Sequence, residues 1–146
     1  MASASTVRVR YAETDQMGVA YHANYLIWCE VGRTDYIRAL GITYAELERQ
    51  GVRLAVVDAQ LRFHASARYD DVVTIDTRLD GVRSRMVTFR YELSRPAAGG
   101  RTERLASAMT SLVALDDAGR PTTLQPAFRE LLAGAATTDA AAAETG

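Results

Sequence analysis

The sequence predicts an α+β domain in which one antiparallel β-sheet wraps around one long central helix. Three observations lead there. Apolar residues recur at helical spacing from Asn24 to Leu40 and nowhere else over so long a stretch. After Gly51 the period changes to alternation and stays so through four successive runs, the fourth less clean because Ala and Ser occupy both faces. Short Gly- and Pro-containing turns join those runs, so neighbours should pair antiparallel, with one apolar face that only the long helix is able to cover. A chain of 146 residues suits one such core.

Taken in order, Val7, Val9 and Tyr11 alternate with Arg8 and Arg10, which predicts a short strand over Val7–Arg10. A loop from Tyr11 to Tyr25 follows. In the helix, Tyr25, Leu26, Cys29, Gly32, Tyr36, Ile37 and Leu40 fall on one side, and Glu30, Thr34 and Arg38 on the other. Gly32 costs about 1 kcal/mol relative to Ala in mid-helix, so it predicts a close approach by another backbone. Gly41 stops the helix. Thr43-Tyr44-Ala45-Glu46 is a capping box, predicting a second, short helix to about Gln50, ended by Gly51.

The strand runs are Val57–Ala65, Val73–Leu79, Val87–Ser94 and Leu105–Leu115. Asp80-Gly81 and Pro96-Ala97-Ala98-Gly99-Gly100 are read as turns between them. Asp116–Pro121 is a loop, and Pro126 opens a short terminal helix carrying Phe128, Leu131 and Leu132. Residues 133–146 are Ala/Thr-rich without periodicity and are expected to be disordered, which leaves one domain over 1–132.

Composition narrows the function. Hydrophobic residues make up 48% and charged residues 24%, ordinary for a soluble globular domain. A net charge of -1 suggests neither nucleic acid nor an anionic membrane surface as a partner. All 17 basic residues are arginine, so any phosphate contact must come from Arg, a backbone amide or a hydroxyl. One Cys and two His are too few for a Cys/His zinc cage, and no metal is expected. Cys29 lies on the apolar side of the helix and is read as a small core residue. Met1–Thr6 has no basic segment or apolar run, and no stretch is long enough to span a bilayer, so the cytoplasm is the expected compartment.

The stretch that carries chemistry is Tyr11-Ala12-Glu13-Thr14-Asp15-Gln16-Met17-Gly18-Val19-Ala20-Tyr21-His22-Ala23-Asn24-Tyr25. It holds Asp15, Gly18 and His22 immediately before a helix whose first amides have no intrahelical acceptor. A thioester carbonyl is weakly stabilised by resonance and its thiolate leaves readily. One carboxylate to activate water or attack, with donors for the developing oxyanion, is therefore a sufficient set. Asp15 is the acid, and Gly18 lets the loop bring backbone close to substrate. Asp15–Gly18 is also ordinary turn composition, and His22 an ordinary residue beside a helix cap. Asn24 is read as a helix cap and His64 as a surface residue on a polar strand face. Glu30 and Arg33 are read as a structural pair along the helix.

The motif and the order of elements resemble the 4-hydroxybenzoyl-CoA thioesterase family of hotdog-fold proteins. The match runs through Tyr11, Thr14, Asp15, Gly18, Val19, Tyr21, His22, Asn24 and Tyr25, and again through Ala67-Arg68-Tyr69-Asp70-Asp71-Val72-Val73. The resemblance implies an acyl-CoA thioesterase in which Asp15 is nucleophile or general base and the His22 amide polarises the thioester carbonyl. It implies substrate contacts at Tyr21 and Tyr25, and nucleotide contacts at Arg83, Ser84 and Arg85. Coenzyme A would be part of the substrate, with no resident cofactor. It also implies homodimers, paired into tetramers, with the acyl-CoA site between subunits. Histidine at position 22 looks more like the short-chain and general acyl-CoA branch than the aroyl branch. The competing readings are an acyl-carrier-protein thioesterase and a non-catalytic acyl-binding scaffold on the same fold. A hotdog dehydratase is set aside, because the surroundings of Asp15 are not that group's His-plus-Glu pattern.

Overall fold

The computed structural model describes residues 3–145. Its strands are β1 (Ser3–Arg8), β2 (Arg53–Phe63), β3 (Val72–Val82), β4 (Met86–Pro96) and β5 (Thr102–Leu115). Its helices are α1 (Asn24–Ala39), α2 (Tyr44–Arg49) and α3 (Pro126–Thr145). The strands form one sheet in the order β1-β3-β4-β5-β2, and each neighbouring pair is antiparallel. Helix α1 lies across the inner face against β1, β3 and β4. Trp28, Tyr36 and Ile37 of the helix are fully buried, as are Ile75, Phe89, Leu93 and Leu112 of the sheet. Among the described residues no helix is long and apolar enough to cross a membrane.

Several elements form for the reasons visible in the chain. Thr43 Oγ1 accepts the Glu46 amide at 3.1 Å and starts α2. A Cβ at Gly32 would land on Thr77 Oγ1 and 2.8 Å from Ile75 Cγ2. The helix therefore comes close to the sheet there, as its glycine predicts, although the groups it meets are side chains of β3 and not backbone.

Other elements differ from the sequence-based expectation. Strand β1 begins at Ser3, and Val9 and Tyr11 lie beyond it. The pairing from Ser3↔Thr77 to Arg8↔Val72 satisfies the backbone of residues with weak strand propensity. Ser5 turns inward and donates to Asp35 Oδ2 at 2.6 Å. On α1 the buried stripe includes Trp28 and Arg33, while Leu26 faces outward. Asp80-Gly81 makes no turn. It forms a bulge inside β3, where the register with β4 shifts between Leu79 and Gly81. The chain reverses later, at Arg83–Arg85, where the Arg83 amide donates to Met86 O at 2.7 Å.

The largest correction concerns the C-terminus. Residues expected to be disordered continue α3 to Thr145, and only Gly146 of that tail lies outside the described residues. Alanine has the highest helix propensity, which favours the run locally. Tertiary contacts fix it: Phe128, Leu132 and Ala135 are buried, and Asp139 Oδ2 accepts from the Tyr36 hydroxyl at 2.6 Å and from the Leu79 amide at 2.9 Å. The folded unit therefore extends beyond residue 132.

The Gly32 contact makes a prediction whose sign distinguishes packing from propensity. Gly32→Ala should destabilise the protein by about 1–3 kcal/mol through overpacking, although Ala is the better helix former. A rise in Tm for that variant would show that β3 is free to yield.

Candidate active site

One buried acid ties the motif loop to the helix. Glu13 is 6% exposed. Its Oε1 accepts the Arg10 amide at 2.8 Å and its Oε2 accepts the Trp28 indole N–H at 3.1 Å. The Glu13 carbonyl accepts the Tyr21 amide at 2.8 Å and Asn24 Nδ2 at 2.8 Å. The start of the loop, its end and the first turns of α1 thus converge on one residue. Burial alone would push the Glu13 pKa up. The Arg10 amide, the Trp28 indole and the Arg10 guanidinium outweigh it and hold the carboxyl below its ordinary value of 4.5.

Within that frame Asp15–Gly18 forms a closed turn. The Asp15 amide donates to Val19 O at 2.9 Å and the Gly18 amide to Asp15 O at 3.0 Å. Gly18 has φ +78°, a conformation that glycine adopts without strain. A bridge between Thr14 and Ala20 closes the base of the turn, and the Ala20 amide fixes it to Ala67 O at 2.8 Å. Asp15 is half-buried. Its Oδ1 accepts the Met17 amide at 2.9 Å, and Oδ2 makes no hydrogen bond among the described residues. The turn composition read from sequence is real, and it leaves one carboxylate oxygen uncommitted.

The helix start is open in part: the Asn24 and Tyr25 amides donate to Tyr21 O at 3.0 Å and His22 O at 3.2 Å, while the two residues before them differ. Ala23 occupies the cap position of the 16-residue α1 and supplies no side-chain cap. Asn24 is the first helical residue and spends its amide group on Glu13, so it is not the cap expected from sequence. Among the described residues the His22 and Ala23 amides donate to no acceptor. Such a terminus presents free N–H donors and the positive end of the helix dipole. The His22 ring is exposed and rests beside Tyr21, with ring centroids 4.4 Å apart.

The other expected site residues divide. Tyr21 is exposed beside His22. Tyr25 is a core residue: it is 2% exposed, its hydroxyl accepts the Ala67 amide at 3.0 Å, and its ring packs on Trp28 and Phe63. That corrects its expected contact with substrate. Arg83, Ser84 and Arg85 are exposed at the β3–β4 hairpin. They lie at the opposite end of β3 from Asp71, whose carbonyl accepts the Val9 amide beside the motif loop. Eleven strand residues separate the two ends, about 35 Å, so one chain does not bring these arginines to Asp15.

Cys29 is buried, and burial pushes its thiol up to about 12, outside nucleophilic range near neutral pH. His64 Nε2 lies 3.0 Å from Ser107 Oγ on the outer sheet face. Among the described residues no three His, Cys, Asp or Glu side chains cluster as a metal site requires. Sequence reasoning missed Glu13 as the anchor of the loop. The available signal was the single tryptophan of the following helix, whose buried N–H needs an acceptor.

Comparison with known proteins shows the family and the fold. The family model described as "Thioesterase-like superfamily" matches residues 9–132. A putative acyl-CoA thioesterase, YneP, of Bacillus subtilis is 40% identical over 95 residues, 65% of this chain and 69% of that protein. The structure of a DHNA-CoA thioesterase from Staphylococcus aureus superposes with a TM-score of 0.86 at 32% identity, covering 99% of this chain and 95% of that one. A 4-hydroxybenzoyl-CoA thioesterase superposes with a TM-score of 0.83 at 22% identity, covering 90% of this chain and 98% of the other. That last likeness is one of fold. The architecture is the hotdog fold, as the motif resemblance implies.

The Glu13 network predicts a pH-dependent stability. Glu13→Gln should lose about 1.5–3 kcal/mol at neutral pH, the range for hydrogen bonds to a charged group. Because the folded-state pKa lies below 4.5, this contribution is present above that value and fades as pH falls through the lowered one. Melting curves of wild type and variant should therefore converge in acid. A constant gap in Tm down to acid pH would show that the Glu13 charge is not what the network uses.

Proposed function

The chain belongs to the thioesterase-like superfamily, and from that membership and the geometry of the motif loop we propose that it hydrolyses acyl-CoA thioesters to the free acid and CoA. One observation carries the proposal. Asp15 is half-buried with a free carboxylate oxygen, on a turn that leads through Ala20 directly into an uncapped helix start with unfilled amides. A binding scaffold has no use for a base beside oxyanion donors. Names of relatives such as YneP support the same activity.

In this mechanism the thioester carbonyl rests against the His22 amide, and Asp15 lies on its other side. As general base, Asp15 takes a proton from water while the water oxygen bonds to the acyl carbon. As nucleophile, its free oxygen forms that bond first and water then cleaves the mixed anhydride. Either way the C–S bond breaks, CoA leaves as thiolate, and negative charge on the carbonyl oxygen passes through a stage stabilised by the helix-end N–H groups. Gly18 keeps the turn tip free of a side chain. The substrate is a short-chain or aromatic acyl-CoA.

The site needs a second copy of the chain. Strand β2 is an unpaired edge and exposes Val56 and Val57, with Leu26 and Ile27 exposed on the neighbouring α1. Pairing β2 with its twofold mate reverses the partner's strands. The partner's Arg83-Ser84-Arg85 hairpin then comes to the end of the sheet where this chain holds Asp15. Arg83 and Arg85 form no ion pair among the described residues, so they are available to the phosphates of CoA. A carrier-protein substrate would not need them.

Two measurements test this. Asp15→Asn should lower kcat about a hundredfold or more in thiol release from a panel of acyl-CoAs. Equal rates in both proteins would remove Asp15 from the mechanism. Arg83→Ala and Arg85→Ala should each raise KM for acyl-CoA by roughly 2–5-fold with little change for a short acyl-pantetheine. Equal effects on both substrates would show that neither arginine reads the nucleotide.

A further inference from the structure

The mechanism leaves one charged group unused. Arg33 sits in the second half of α1 and is 8% exposed, yet no carboxylate pairs with it among the described residues. The hydroxyls of Tyr91 and Tyr44 face it. Tyr91 is also bonded to Thr110 Oγ1 at 2.6 Å, while the Tyr44 hydroxyl and Arg33 Nε make no hydrogen bond. The expected pairing with Glu30 is not formed, and Glu30 is exposed. A guanidinium stays charged at any physiological pH, and this one has the Tyr91 and Tyr44 hydroxyls as its close polar partners and no carboxylate within ion-pair distance among the described residues, an arrangement that a carboxylate reaching it would stabilise.

Arg33 lines a cleft of about 240 Å³ together with Leu26, Ile27 and Glu30 of α1 and Val56 and Ala59 of β2. Leu26, Ile27, Glu30 and Arg33 share one helical stripe that begins one turn beyond His22. Its first two members are exposed aliphatics, 38% and 54%. From Leu26 to Arg33 the helix advances about 10 Å, and helical side chains lean back toward the N-terminus. An acyl group whose carbonyl rests at the His22 amide would therefore run over Leu26 and Ile27 toward Arg33. The cleft opens at the β2 edge, so a second copy of the chain would enclose it.

We propose that Arg33 reads the far end of the acyl group, and that the enzyme selects ω-carboxyacyl thioesters, whose terminal carboxylate supplies the anion this buried guanidinium lacks. The inference rests on the thioesterase reading and adds a substrate class to it. The hydrolytic step is unchanged. Arg33 determines specificity by donating charge-assisted, bidentate hydrogen bonds to the terminal carboxylate. Glu30, partway along the stripe and open to water, disfavours a carboxylate that stops short beside it, so chains long enough to pass it are preferred.

The test compares succinyl-, adipoyl- and suberoyl-CoA with butyryl-, hexanoyl- and octanoyl-CoA on the full-length protein. The wild type should favour a longer carboxyacyl substrate over its methyl-ended match by about tenfold or more in kcat/KM. Arg33→Met should abolish that preference by lowering the carboxyacyl value, with the methyl-ended value unchanged or raised. Because a variant in the core is at risk of misfolding, a second measurement uses the wild type alone: suberate should raise its Tm where octanoate at equal concentration does not. Hydrolysis of both series without preference, and no shift with suberate, overturns the role of Arg33 and leaves the thioesterase standing. Hydrolysis of no thioester in the panel overturns both.

Discussion

The geometry of the motif loop depends on one buried carboxylate. A charge out of water must have its lone pairs filled, and Glu13 fills them from Arg10 before the loop and Trp28 in the helix. Its carbonyl meanwhile holds the Tyr21 amide and Asn24. Asp15 sits two residues away in a turn whose bonds are local. The acid that holds the structure and the acid offered for chemistry are thus separate groups. Glu13 is saturated with donors, and Asp15 keeps an oxygen free. A carboxylate asked to do both would have its basicity spent on the fold.

The sheet adds a second constraint. Helix α1 lies so close to β3 that Gly32 has no room for a side chain, which fixes the depth of the helix and hence the place of its N-terminus. The sheet has two edge strands, β1 and β2, with α3 packed against β3, and of the two edges β2 exposes Val56 and Val57. Hydrogen-bonding capacity and exposed aliphatics accumulate on that flank. The same flank borders the helix stripe leading from Leu26 to Arg33, so the exposed aliphatics of β2 and α1 form one continuous surface.

How much of this is legible in the chain follows from the range of the interactions. The span of α1, the Thr43 cap of α2, the Pro96–Gly100 turn and the alternation of β3 and β4 are governed by contacts within a few residues, and the sequence displays them. Asp15, Gly18 and His22 lie close together along the chain, so their shared place in one loop before α1 is legible too. Strand β1 at Ser3–Arg8 and the helix beyond residue 132 are not. Each is made stable by partners far along the chain: β3 for the first, and Tyr36 and Leu79 for the second.

By itself, then, the amino-acid sequence determined the fold class and the order of most elements, because periodicity and capping are local physics. Tertiary structure alone decided that Asp80-Gly81 is a bulge, that Arg33 is buried without a carboxylate partner among the described residues, and that Arg83 and Arg85 stand a strand's length from Asp15 in the same chain. Each of those depends on which surface meets which when the sheet closes over the helix, and on where polar atoms then find or lack a partner.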